Sequence, residues 1–278
     1  MPGSQERQRR RARERFERQR EVRRQHQRVI RKRAGIALAV VLVLGLAGGL
    51  TAAFAGGSPS KTAAAPKPSA SAAAVTEPAT HCTYAKSSSG AVVKTSLPPS
   101  APDYKSAYTA TINTNLGPVS VKLANSKATC AVNSFTHLAS ANFWNSTQCH
   151  RVSDSGGLYM LQCGDPTAKA SQALSCSSST LGTGGPGYTF ADENLKGATY
   201  PAGTVAMANS GPNTNGSQFF LVFGKTSLPA SYTPFGTITS GLDILQNVAK
   251  AGTTCSYSAG GGVPKKKVVI KNVTIRKV

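Results

Sequence analysis

The chain has 278 residues and a formal net charge of +21, enough length for one or two domains. The charge is uneven: residues 1–33 hold 14 Lys/Arg against 4 Asp/Glu, a net +10, which leaves +11 for the other 245 residues. A basic block of this density suits nucleic acid or an anionic membrane surface, and the uncharged segment directly after it decides for the membrane and against nucleic acid.

Residues 34–56, AGIALAVVLVLGLAGGLTAAFAG, form a 23-residue stretch without a charge. As a helix it spans a hydrocarbon core of roughly 30 Å, and a helix apolar all round belongs in a membrane or a large core. Arg31, Lys32 and Arg33 flank it, so the positive-inside rule puts the N-terminus in the cytoplasm and the rest outside. A secretory signal is the alternative, with an Ala-x-Ala-like site at Ala53-Phe54-Ala55. As an uncleaved anchor, the segment makes the basic tail 1–33 a topology signal and a contact for anionic lipid.

Residues 57–105 are built from Ala, Ser, Pro, Gly, Thr and Lys and read as a semi-extended spacer, too poor in apolar residues to offset its ordering entropy. Cys82 stands out, because a cysteine in a spacer implies a partner. From Ser106 the texture changes. Tyr108–Leu123 alternates around Asn115-Leu116-Gly117-Pro118, a hairpin pattern. Val132, Phe135, Leu138 and Ala139 share one face of a helix over 131–143, with Thr129 as its cap. Short strands are expected at 148–152, 158–162, 204–208, 218–223 and 235–238. An amphipathic helix carrying Leu242, Leu245 and Val248 stops at Gly252, and 267–278 supplies the closing strand. Many short strands with two helices indicate an all-β barrel or sandwich.

Six cysteines outside a membrane favour disulfides. Zinc is the rival, but there is no Cys-x-x-Cys and His81, His137 and His150 are scattered, so neither metal nor cofactor is expected.

Two stretches carry the chemistry: CHRVSDSGGLYMLQCGD (149–165) and MANSGPNTNGSQFF (207–220). With GTGGPGYTFADE (182–193) and YPAGTVAMAN between them, they resemble the signature of cyclophilin-type peptidyl-prolyl cis-trans isomerases. The resemblance covers about residues 106–278, and the variants QCGD (162–165) and LPASYTPFG (228–236) look like its actinobacterial branch, where membrane-anchored members occur. It implies an eight-stranded antiparallel barrel closed by two α-helices, with the proline site on the barrel's outer surface. By motif position it implies a catalytic set of Arg151, Gln162, Asn209 and Phe220, and a substrate groove of Tyr159, Met160, Ala208, Gln218, Leu228 and Tyr232. Tyr159 replaces the usual phenylalanine and Tyr232 stands where many members have histidine. Ser227 stands where many animal members have the cyclosporin-binding tryptophan. The 166–181 segment is longer than the usual link and reads as a surface loop.

Such chemistry needs a twisted amide held better than a planar one. The expected parts are an apolar proline pocket, groups holding the flanking peptide, and a cation at the prolyl nitrogen, the role of Arg151. Taken singly, Phe220 and Met160 would be core residues and Arg151 a surface ion pair; only the joint pattern reverses those readings. Expected partners are proline-containing peptides and unfolded or secreted proteins, met by a monomeric domain. A tethered proline-binding module without turnover is the other class.

In strand 218–220, period 2 puts Gln218 and Phe220 toward the groove and Phe219 in the core. If the strands around 148–152 and 158–162 pair antiparallel, Cys149 and Cys163 are placed to meet, with Cys176 the alternative partner for either. Cys130 with Cys255 is a further pairing considered, and Cys82 reaches Cys176 or stays free.

Overall fold

The computed structural model describes residues 78–88, 93, 95–257 and 260–278. The expected basic tail, the apolar span and the first part of the spacer lie outside them. Among the described residues no helix is long and apolar enough to cross a membrane.

Short alternating segments and turn glycines organise the domain. The strands, in chain order, are β1 (Ala85–Lys86), β2 (Tyr108–Thr114), β3 (Gly117–Leu123), β4 (Thr147–Gln148), β5 (Arg151–Ser155), β6 (Leu158–Cys163), β7 (Tyr188–Thr189), β8 (Thr204–Met207), β9 (Phe219–Val222), β10 (Pro234–Ser240) and β11 (Val269–Lys277). Helix α1 covers Thr129–Ser140 and α2 covers Leu242–Lys250. Strands β2 and β3 form the expected hairpin, with Ala110, Ile112, Val119, Val121 and Leu123 turned inward.

One antiparallel sheet of nine strands runs β4-β11-β2-β3-β10-β8-β9-β6-β5. Its two edge strands are neighbours in sequence, since β4 ends at Gln148 and β5 begins at Arg151. Three residue steps span at most about 10 Å, so the sheet must curl until its edges nearly meet. Cys149 and His150 bridge that seam: Cys149 N–H donates to Val268 O (2.9 Å) on one side and His150 N–H to Gln162 O (3.1 Å) on the other. The expected count of eight strands is thereby corrected. The run 148–152 is not one strand but two short pieces at opposite edges, because the chain turns across the seam at Cys149-His150.

The interior is aromatic at its centre. Phe135 of α1 packs against Trp144 (4.7 Å between centroids), Phe235 (5.2 Å) and Phe219 (5.5 Å). The second helix adds Leu245, Val248 and Ala249, and the two helices cover the sheet's concave side. Helix α1 departs from expectation at both ends. Thr129 does not cap it; its hydroxyl donates to Asn125 O (2.7 Å). The carboxylate of Glu193, 62 residues on, accepts from the first-turn amides of Cys130 (3.0 Å) and Ala131 (2.8 Å), supplying acceptors where a helix has unpaired donors. The helix ends at Ser140, short of Phe143, and Asn142 lies just beyond with φ 55°.

The domain also begins earlier than composition suggests. Cys82 and Tyr84, in the segment read as spacer, are buried in the main core, and β1 pairs with β7 in a small second sheet. A cross-link and one aromatic ring order a stretch whose average composition does not.

All six cysteines are paired. Cys149 joins Cys163 as expected, with Cα atoms 4.0 Å apart. The remaining pairings considered are corrected: Cys130 bonds Cys82, not Cys255, and Cys255 bonds Cys176. Strand positions alone could not show that the 78–100 segment crosses α1 or that the 166–181 loop reaches the turn after α2.

Candidate active site

The hairpin β5–β6 turns through Gly156 and Gly157, with φ of 62° and 79°. A two-residue turn with both φ positive matches the twist of the flanking strands. It sets Arg151 opposite Gln162; β6 then sets Gln162 opposite Phe220, and β9 sets Phe220 opposite Ala206. Directly paired residues share a face, so Arg151, Gln162, Phe220 and Ala206 form one row on the convex side. With strands about 4.8 Å apart, Arg151 and Phe220 are about 10 Å apart along it.

Around this row lies a second apolar cluster, separate from the interior: Met160, Tyr200, Ala206, Phe220 and Val222, rimmed by half-buried Leu158, Ala198, Ala208, Leu228 and Tyr232. Phe220 is edge-on to Tyr232 at 5.5 Å and tilted against Tyr200 at 6.2 Å. Tyr200 was not singled out in the sequence. Its hydroxyl donates to Tyr232 O (2.8 Å) and accepts from Tyr232 N–H (3.0 Å), which pins the rim segment. Its place just before Pro201 in YPAG offered only a turn signal.

Arg151 is half-buried, and its Nε–H donates to Gly260 O (2.9 Å). The segment carrying Gly260 adds to the outer edge of β5 through two backbone bonds between Val152 and Gly262. Burial pulls the guanidinium pKa down, opposed by the nearby Tyr257 and Tyr232; guanidinium nonetheless keeps its charge in proteins. Sequence reasoning missed this segment because its function is only to present a carbonyl.

Gln162 Nε2 donates to Gln218 Oε1 (3.0 Å), and Gln218 Nε2 donates to Gly182 O (3.0 Å) and Gly184 O (2.8 Å). Gln218 thus positions Gln162 and the Gly182–Gly187 loop. Asn209 Nδ2 donates to Ser231 O (2.8 Å), tying the loop after β8 to the Tyr232 rim. Asp165, fully buried, accepts from Thr167 N and Oγ1 and from Gly182 N. A side chain at Gly184 would meet its carboxylate at 2.1 Å, so only glycine fits there.

Next to the apolar cluster is a cavity of about 680 Å³ lined by Gln162, Gln218, Ala208, Asn209, Thr214, the Gly182–Gly187 loop and Ser87. Of the expected site residues, Arg151, Met160, Gln162, Ala208, Asn209, Gln218, Phe220, Leu228 and Tyr232 fall in the row, its apolar surround or this cavity. Tyr159 does not join the apolar surround. It lies on the opposite face of β6 from Met160, packed on the interior with its ring edge-on to Phe223 at 6.4 Å. Strand period 2 separates neighbours 159 and 160.

Behind Arg151, His150 is buried with no partner on Nδ1. Burial pushes its pKa down to about 4, with Asp165 opposing and Arg151 reinforcing the shift. Among the described residues no cluster of three or more His, Cys, Asp or Glu is arranged to hold a metal.

Three comparisons bear on this arrangement. The cyclophilin type peptidyl-prolyl cis-trans isomerase/CLD family matches residues 109–275. Proteins named probable peptidyl-prolyl cis-trans isomerase B from Mycobacterium leprae and Mycobacterium tuberculosis are 41% and 40% identical over 213 residues. In each case 70% of this chain aligns, and it spans 66% and 64% of the relatives' length. A Dictyostelium discoideum peptidyl-prolyl cis-trans isomerase-like 3 is 34% identical over 172 residues, 59% of this chain and 93% of that one.

Proposed function

Because the chain belongs to the cyclophilin-type peptidyl-prolyl cis-trans isomerase family, we propose that its domain isomerises X–Pro bonds in proline-containing segments of unfolded or secreted proteins. The observation that carries the reading is the cross-strand row, which puts a permanent cation, an amide and a phenylalanine on one face. An X–Pro bond exchanges over tens to hundreds of seconds unaided because its C–N bond has double-bond character. The proline ring seats on Phe220, Met160 and Leu228. Backbone groups at Asn209 and the Gln162 amide hold the flanking peptide. Arg151 faces the prolyl nitrogen, whose lone pair localises as the amide twists, and a preorganised charged donor favours that geometry over the planar one. Tyr159 acts from behind, supporting β6.

No proton leaves the substrate, so kcat/KM is expected to be flat from about pH 6 to 9. The test is isomerisation of a short X–Pro peptide by the purified protein. Proline-peptide binding without turnover would shift the reading to a binding module.

We further propose a single-pass membrane location, with the N-terminus cytoplasmic, the basic tail against anionic lipid and the domain outside. The density of Arg before residues 34–56 supports it, as do three disulfides in one domain. A reporter fused after Val278 that works only in the cytoplasm would refute it.

A further inference from the structure

The Gly182–Gly187 loop has glycine at 182, 184, 185 and 187, with φ of 82° at Gly182 and 85° at Gly187. Such backbone has little stiffness of its own. Four of its carbonyls are nevertheless held. Gln218 takes those of Gly182 and Gly184 from the groove side. From outside, Ser87 N–H donates to Gly187 O (2.9 Å) and Val93 N–H to Gly185 O (3.1 Å). Ser87 also lines the cavity itself.

The outer support belongs to a strap that precedes the family-matched residues 109–275. It is anchored three times. Cys82 is bonded to Cys130 in the first turn of α1. The Tyr84 ring sits edge-on to Tyr188 (5.5 Å) and Phe190 (5.7 Å), while its hydroxyl donates to Cys130 O and accepts from Asn133 Nδ2. Strand β1 pairs Ala85 with Thr189 and Lys86 with Tyr188, along the stretch that leaves the glycine loop.

We propose that this strap is a specificity element: it fixes the glycine-loop wall of the cavity beside the proline groove, and the cavity takes the side chain of a residue flanking X–Pro. Its lining offers hydroxyls, amides and backbone groups, among them Ser87, Thr183, Asn209, Ser210, Thr214 and Gln218, and no charged side chain. The favoured occupant is therefore an uncharged hydrogen-bonding side chain, Ser, Thr, Asn or Gln. A Lys or Glu there would lose hydration without a counter-charge. The proposal rests on the proline groove assigned above.

The experiment uses full-length protein and short X–Pro peptides carrying Ala, Asn, Lys or Glu at each flanking position in turn, read as kcat/KM and as Kd. Wild type should prefer Asn over Ala and Lys by at least fivefold at one position. Ser87→Pro, which removes the donor to Gly187 O, should bring that preference to within twofold while an Ala–Pro dipeptide unit without flanking side chains is turned over within twofold of wild type. A combined Cys82→Ala and Tyr84→Ala variant, releasing the strap's anchors, should act alike; if it fails to fold, Ser87→Pro still decides. A wild type indifferent to the flanking residue, or a Ser87→Pro protein with unchanged selectivity, overturns the proposal. Selective binding with no turnover in wild type would remove the isomerase reading alone, and the Kd pattern would still decide the strap.

Discussion

Phe219 and Phe220 are adjacent, similarly buried at 0% and 4% exposure, and belong to different parts of the molecule. Phe219 meets Phe135 and Trp144 inside the curled sheet. Phe220 meets Tyr200 and Tyr232 on its outside, in a small cluster with a half-buried rim and Arg151 in the same row. Burial alone does not tell structure from function here; the side of the sheet does. One residue step along a strand separates a side chain that supports the fold from one that forms the proline seat.

Four experiments break or sharpen that contrast. Phe219→Ala should have the largest effect, costing about 4–5 kcal/mol of stability, the upper range for emptying an interior aromatic site. Phe220→Ala should cost nearer 3 kcal/mol and lower kcat/KM more than tenfold in protein that remains folded. Denaturant midpoints and peptide isomerisation on the same samples separate the two, and equal effects on both readouts would erase the distinction. Arg151→Ala should leave circular dichroism unchanged and cut kcat/KM by about 10²–10³, some 3–4 kcal/mol of transition-state stabilisation. Unchanged kcat/KM in a folded Arg151→Ala protein would take it out of the mechanism.

His150, at the seam, tests whether that crossing behaves as interior. Its pKa is about 4 folded and about 6.5 unfolded. Above pH 6.5 both states are neutral and its contribution is complete. As pH falls, only the unfolded state takes up the proton, so stability is lost between pH 6.5 and 4, by about 2.5 kcal/mol at pH 4.5. Urea midpoints at pH 7 and 4.5 for wild type and His150→Asn should differ in slope with pH by that amount; parallel curves would mean the ring is hydrated. The smallest effect is expected of Tyr232→Phe, within twofold in kcat/KM. Its backbone, not its hydroxyl, is what Tyr200 holds, and its ring still meets Phe220.

The local parts of this site were legible. Alternation along β6 and β9, paired glycines at 156–157 and the helical face Val132-Phe135-Leu138-Ala139 each depend on residues within one turn or strand. What escaped were interactions between distant segments. Glu193 carries no local sign that it will cap a helix 62 residues earlier. Gly260 bonds Arg151 with a backbone carbonyl that any residue would have. The strap is apolar at only two points, Cys82 and Tyr84, so averaging over its composition hid them. Tyr159 shows the opposite failure: motif position placed its ring in the groove, while the period-2 rule applied to Gln218–Phe220 assigns residue 159 to the interior.

Strand β11 comes last in chain order yet lies between β4 and β2, pairing Lys277 with Tyr108 and Ile270 with Thr147. The sheet therefore cannot zip up from its N-terminal hairpin outward. Until residues 269–277 are available, β2 keeps an unpaired edge and β4 has no partner. Pairings this distant in sequence make folding slow, on the millisecond-to-second scale, and leave an open edge prone to association meanwhile. A nascent chain emerging segment by segment would present that edge until its last strand arrived, and during that interval the molecule would itself be a client for folding assistance.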